Sequence, residues 1–140
     1  MKIVLDLKVV MDTNVFISGV FFSGPPYQIL KAWQSHGFEL IVSPEILDEY
    51  RRVGEILAEE HPEIDLNPIL NFVIEQAKVY RPAKLKEPVC VDPDDDKFIA
   101  CALASGSRVI ISGDKHLLKV SGYQEIEVLK PREFVDKYLG

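Results

Sequence analysis

The chain has 140 residues, 47% hydrophobic and 27% charged, which is enough for a core that folds without cross-links and reads as a single domain over 1–140. A net charge of −6 excludes a protein that coats nucleic acid by charge alone, because that affinity comes from Lys and Arg neutralising phosphates. Apolar runs fall far short of the ~20 residues of a membrane span, Asp6 interrupts what a leader would keep apolar, and Cys90 and Cys101 are too few for a disulfide framework. The expectation is a cytoplasmic protein with two reduced, buried thiols and no membrane contact.

In chain order, Val9-Val10-Met11 reads as a buried strand, with Ile3-Val4-Leu5 extending it or adding an edge. It runs into Asp12-Thr13-Asn14, and the apolar runs 15–17 and 20–22 beyond read as core packing. Residues 26–33 form a helix opened by proline, and Leu40-Ile41-Val42 is a second strand. Ser43-Pro44 caps the next helix, in which Ile46, Leu47, Tyr50, Val53 and Leu57 share one stripe at ~100° per residue. Glu49 lies on the margin of that stripe and Asp48 points away, a solvated surface acid. Asn67-Pro68 starts a helix with Ile69, Leu70, Val73, Ile74 and Ala77 on one face.

The basic segment 80–86 reads as a loop, with RNA guidance as the functional alternative. A fourth helix starts near Asp94, its expected cap, and buries Phe98, Ile99, Ala102 and Leu103 until Gly106 stops it. Val109-Ile110-Ile111 and Ile126-Glu127-Val128 are further strands, and a helix after Pro131 turns Phe134, Val135 and Tyr138 inward. Alternating strands and helices imply a three-layer α/β/α sandwich around a mostly parallel sheet of four or five strands.

Sites in open parallel sheets lie outside the carboxyl ends of the strands. Asp12 ends the first core strand, and Asp114 follows the 109–111 strand through Ser112 and Gly113. Taken singly, each is an ordinary turn or helix-cap aspartate; taken together, they project from one edge. In the acidic run 92–96, Asp95 precedes the buried positions Phe98, Ile99 and Ala102 at helical spacing and is the acid directed inward, whereas Asp96 is rotated toward Ala100. Asp12, Glu49, Asp95 and Asp114 can then converge. Such a cluster is repulsive unless cations occupy it. Oxygen ligands without paired His or Cys suit Mg²⁺ or Mn²⁺, and two such ions about 4 Å apart serve phosphodiester cleavage. Asn14 and Ser112 are supporting candidates that orient Asp12, Lys97 and Lys115 are candidate phosphate contacts, and His36, His61 and His116 show no ligand spacing.

Read in order, Asp12-Thr13-Asn14-Val15, Glu49 within the helix opened by Ser43-Pro44, Asp95 eleven positions before Gly106, and Ser112-Gly113-Asp114 resemble the PIN domain family, closest to the VapC-like toxins. The similarity runs from Val9 to about Tyr138. It implies a Mg²⁺- or Mn²⁺-dependent endoribonuclease acting on single-stranded RNA, with Asp12, Glu49, Asp95 and Asp114 as catalytic and metal-binding acids and Asp96 as the neighbour competing for the third position. It also implies a toxin held by a cognate antitoxin, and a homodimer. The alternatives are an RNA-processing PIN nuclease outside any toxin pair and an inactive scaffold that binds RNA or protein. A haloacid-dehalogenase-like phosphatase needs an aspartate where Asn14 stands. A response-regulator receiver needs an acceptor aspartate ending its central strand and a lysine after its last core strand, and here Glu49 and the 92–96 run fall on predicted helices.

Overall fold

The computed structural model describes residues 6–140, so the expected role of Ile3-Val4-Leu5 lies outside the described residues. Five short strands, β1 (Lys8–Met11), β2 (Glu39–Val42), β3 (Lys78–Val79), β4 (Val109–Ile111) and β5 (Glu127–Leu129), form one sheet in the spatial order β3-β2-β1-β4-β5. Every neighbouring pair is parallel. Val9, Val10, Leu40, Ile41, Ile110 and Ile111 are almost wholly removed from water, which is why the central strands carry unbroken apolar runs instead of alternation.

Among the described residues seven helices cover the sheet in a three-layer arrangement: α1 (Thr13–Phe21), α2 (Pro25–Gln34), α3 (Pro44–Glu60), α4 (Asn67–Gln76), α5 (Asp96–Ser105), α6 (Lys115–Lys119) and α7 (Pro131–Phe134), the last continuing as a wider coil over Val135–Leu139. Among the described residues no helix is long and apolar enough to cross a membrane.

Local chemistry sets the helix ends. The Ser43 hydroxyl accepts the Ile46 N–H at 3.2 Å ahead of Pro44, as a cap followed by a first-turn proline predicts. Gly106 ends α5 in the left-handed region at φ +75°, where a side chain would be strained. Gly19 allows α1 to approach α2: a Cβ there would lie 2.6 Å from Leu30 Cδ1 and 2.8 Å from the Pro26 carbonyl oxygen.

Three elements differ from the sequence reading. Helix α1 follows Asp12 directly, although its residues alternate between no clear periods: it is apolar on nearly every side, with Val15, Phe16, Ile17 and Phe21 all buried. The short β3 and α6 were also unassigned. Stripes are narrower than expected, since Ile74 and Leu103 are exposed while their neighbours Val73 and Ala102 are buried. Asp94 is not the cap of the fourth helix; the Asp92 carboxylate accepts the Asp94 N–H at 3.0 Å and starts a 3-10 turn over Pro93–Asp95 that leads into α5.

The strand order locates the site. The chain leaves β1 toward β2 and β3 on one side and returns through β4 to β5 on the other, so the order reverses between β1 and β4. A crevice opens at such a reversal, outside the carboxyl ends of the two strands. Asp12 follows one strand and Ser112-Gly113-Asp114 the other.

Candidate metal centre

Asp12 is pinned where β1 becomes α1. Its N–H donates to the Ile111 carbonyl at 3.0 Å, continuing the β1–β4 ladder, and its carboxylate accepts the Val15 N–H at 2.8 Å as the N-cap of α1. The register that pairs Met11 with Ile111 brings Ser112 beside Asp12, and the Ser112 hydroxyl donates to the other Asp12 oxygen. The same hydroxyl accepts the Asp114 N–H at 2.9 Å, so one buried serine orients two acids. Asp12 is 4% exposed. Burial pushes its carboxyl up to about 6; the bonds from Ser112 and Val15 oppose the rise, and the charges of Asp114 and Asp95 add to it.

Asp95 faces the same crevice from the start of α5. Its Oδ2 is buried without a hydrogen-bond partner among the described residues. An anionic oxygen in that condition is costly unless something positive meets it. Burial raises the Asp95 carboxyl to about 6, with Asp114 the strongest of the charges that reinforce the rise and His116 opposing it. Asp114 caps α6, its Oδ1 accepting the His116 N–H at 2.7 Å and the Leu117 N–H at 3.4 Å. Asp95, Asp114 and His116 each offer a donor atom, and the three atoms lie within 4.8 Å of one another.

Asp96, one residue on, turns elsewhere. Its carboxylate accepts the Val89 N–H at 3.2 Å and the Cys90 N–H at 2.7 Å, fixing the loop before α5. Burial pushes the Cys90 and Cys101 thiols up to about 12, which leaves both unreactive.

Glu49 stands at the border of the crevice in a different electrostatic state. Tyr50, stacked on Phe16 with ring centroids 4.1 Å apart, donates its hydroxyl to the Met11 carbonyl and ties α3 to the end of β1, which carries Glu49 to the sheet edge. There Glu49 accepts the Thr13 hydroxyl and pairs with Lys97 Nζ at 2.6 Å. The Lys97 side chain is 4% exposed and also reaches Asp94 at 2.9 Å. Burial works against its charge, yet the hydrogen bonds it donates to Glu49 and Asp94 hold the ammonium above its ordinary value. Asp95 and Asp114 are thus brought together with His116, Asp12 lies near enough for their charges to act on it, and Glu49 is compensated by a lysine.

The remaining candidates divide as follows. Asn14 is exposed, and Thr13 rather than Asn14 makes the bond beside Asp12, to Glu49. Asp48 is on the outer face, paired with the exposed Arg51. Lys97 is buried in the ion pair instead of facing solvent, while Lys115 is exposed. The basic loop lines a groove of about 910 Å³ with Lys84, Lys86, Lys119 and Tyr123 on its walls, and none of Asp12, Glu49, Asp95 or Asp114 lines it.

Lys97 and His116 were the residues least visible beforehand. A signal existed for Lys97, because a lysine immediately before 98–102, a run buried on all sides, is carried toward the core with it. For His116 the signal was its place two residues after a strand-end aspartate, within the turn that the aspartate caps.

The acids present fit a divalent cation: three carboxylates on two strand ends and a helix start, one with an oxygen that lacks a partner among the described residues, two raised toward 6 by burial and by one another's charge. A family model for the PIN domain matches residues 8–116, a span that takes in every one of these side chains. An uncharacterized protein of Methanocaldococcus jannaschii is 29% identical over 160 aligned positions, which include 96% of this chain and 93% of the relative.

Proposed function

Because the chain belongs to the PIN domain family, a nuclease-type fold whose members generally use divalent metals, we propose that it is a metal-dependent endoribonuclease cleaving single-stranded RNA. The observation that carries this reading is the convergence of Asp12, Asp95 and Asp114 with an unpartnered, buried Asp95 oxygen between elements that meet at the sheet reversal.

In this reading Asp12, Asp95 and Asp114 hold the cation, Mg²⁺ or Mn²⁺. When bound, it supplies Lewis-acid polarisation of the scissile phosphate and of the attacking water. Ser112 orients the Asp12 carboxylate and holds the Asp114 backbone, which places the two acids side by side for an ion. Glu49 borders the site and holds Thr13 and Lys97, and the Lys97 charge offsets that of Glu49. Asp96 acts on the loop at Val89 and Cys90, and Asn14 is left facing solvent.

The resemblance of the motifs around Asp12, Glu49, Asp95 and Asp114 to those of VapC-like toxins extends the proposal to a cytoplasmic toxin with a cognate antitoxin and a homodimeric assembly. A small DNA-binding antitoxin encoded beside this gene, and growth arrest on expression that Asp12→Asn relieves, are the observations that test the extension.

The enzymatic core of the proposal is tested with purified protein, a labelled single-stranded RNA and millimolar Mn²⁺ or Mg²⁺. Cleavage is expected to stop with EDTA, with Asp12→Asn and with Asp95→Asn, each of which removes an anionic ligand at nearly constant shape. Asp48→Asn is expected to stay within about threefold of wild type, because Asp48 pairs with Arg51 on the outer face, both exposed. Robust cleavage by Asp12→Asn would remove the site from consideration.

A further inference from the structure

Carboxylates alone do not choose among small divalent ions, since hard oxygen donors suit Mg²⁺ and Mn²⁺ alike. This site has one donor of another kind. His116 lies in the first turn of α6, where its own N–H is held by Asp114 Oδ1 at 2.7 Å, so the backbone that carries the imidazole is fixed to a site acid. Its Nδ1 is 3.7 Å from that same oxygen, and the ring has a nitrogen within the 4.8 Å set formed with the Asp95 and Asp114 carboxylates. The ring is only partly covered. Beside it the buried Asp95 Oδ2 has no hydrogen-bond partner among the described residues, an independent sign that the place is shaped for a cation.

We propose that His116 is an ion-selecting ligand, its imidazole nitrogen completing an Asp95-Asp114-His116 set that biases the centre toward Mn²⁺ over Mg²⁺. This rests on the reading of the acids as a cation site. The chemistry is that of donor softness: imidazole nitrogen binds first-row transition ions well, whereas Mg²⁺ keeps water and carboxylate oxygen in preference to nitrogen. Asp12 contributes to either ion through charge. His116 discriminates between them because its contribution depends on which ion is present. Without the imidazole the acids would discriminate little between the two ions, so His116 tips which metal the protein carries when both compete.

The test is pulsed electron paramagnetic resonance on the full chain with one equivalent of Mn²⁺, alongside calorimetric titration with Mn²⁺ and with Mg²⁺. Nitrogen modulation from a directly bound imidazole is expected in wild type and is lost in His116→Ala. The same substitution is expected to weaken Mn²⁺ by about tenfold and Mg²⁺ by less than about twofold. Mg²⁺ binding reports that the variant is folded, and His116→Asn repeats the comparison at closer shape.

Saturable Mn²⁺ binding without nitrogen modulation, modulation that survives in His116→Ala, or equal loss of both ions overturns the selection by His116 and leaves the nuclease proposal standing. No saturable Mn²⁺ binding in wild type overturns both.

Discussion

Asp95 and Asp96 leave adjacent backbone positions and meet opposite surroundings: one oxygen of Asp95 is buried with no donor among the described residues, whereas Asp96 receives two backbone N–H groups from the preceding loop. Removing charge from the first relieves repulsion by Asp114, and removing acceptors from the second strands the N–H groups of Val89 and Cys90. In chelated buffer near pH 7.5, Asp95→Asn is expected to unfold no earlier than wild type in urea and to lose its response to Mn²⁺. Asp96→Ala is expected to lose about 1–3 kcal/mol of stability while keeping Mn²⁺ affinity within a few fold. A reversed pattern would exchange the roles of the two acids. Helical angle was enough to separate these directions in the sequence, and the ends of apolar strands were enough to mark Asp12 and Asp114. What angle does not reveal is the partner. Glu49 was placed on the correct edge of its helix, but that Lys97 meets it follows from how α5 crosses the sheet, and no local pattern encodes that crossing.

At the level of elements, the Glu49–Lys97 pair joins α3 to α5 across the carboxyl end of β1, with side chains 13% and 4% exposed. Two charges so far from water depend on each other, and deleting one leaves the other uncompensated. Lys97→Met is therefore expected to destabilise the fold by about 3 kcal/mol, and adding Glu49→Gln is expected to recover most of that loss, as read from paired urea titrations. Additive losses in the double variant would show that the two helices are held by packing alone. The strands and the proline-opened helices were legible because their signals are local: β-branched runs, Ser43-Pro44, Asn67-Pro68, the stop at Gly106. Helix α1 was not, since a segment apolar on nearly all faces has no period to read, and a buried helix and a buried strand look alike over so few residues. The two-residue β3 was invisible for another reason: Lys78 and Val79 are both exposed and owe their extended form to pairing with Ile41 and Val42.

For the whole molecule, the acid cluster ties stability to pH and to metal in opposite ways. Asp12 and Asp95 each hold a proton up to about 6 in the folded chain, against an ordinary aspartate value of 3.8, mainly through burial. Between those values the folded state binds more protons than the unfolded chain, so this contribution is complete below about pH 3.8 and is lost as pH rises through 6. A shift of two units at Asp12 amounts to roughly 3 kcal/mol at most. The difference in melting temperature between wild type and the Asp12→Asn/Asp95→Asn double variant, both in EDTA, isolates these groups from every other acid. That difference is expected to favour wild type more at pH 5 than at pH 7.5. Divalent ions reverse the trend, because the carboxylates that bind them must first lose their protons. At a hundredfold excess over Kd, ligand bound only to the folded state adds about 2.7 kcal/mol. Millimolar Mn²⁺ is therefore expected to raise the wild-type melting temperature by several degrees at pH 7.5, by much less at pH 5, and hardly at all in the double variant at either pH. If the Mn²⁺ effect is the same at both pH values, the ion binds to acids with ordinary titration elsewhere on a chain that carries 22 of them, and the crevice at the β1–β4 reversal is not its site.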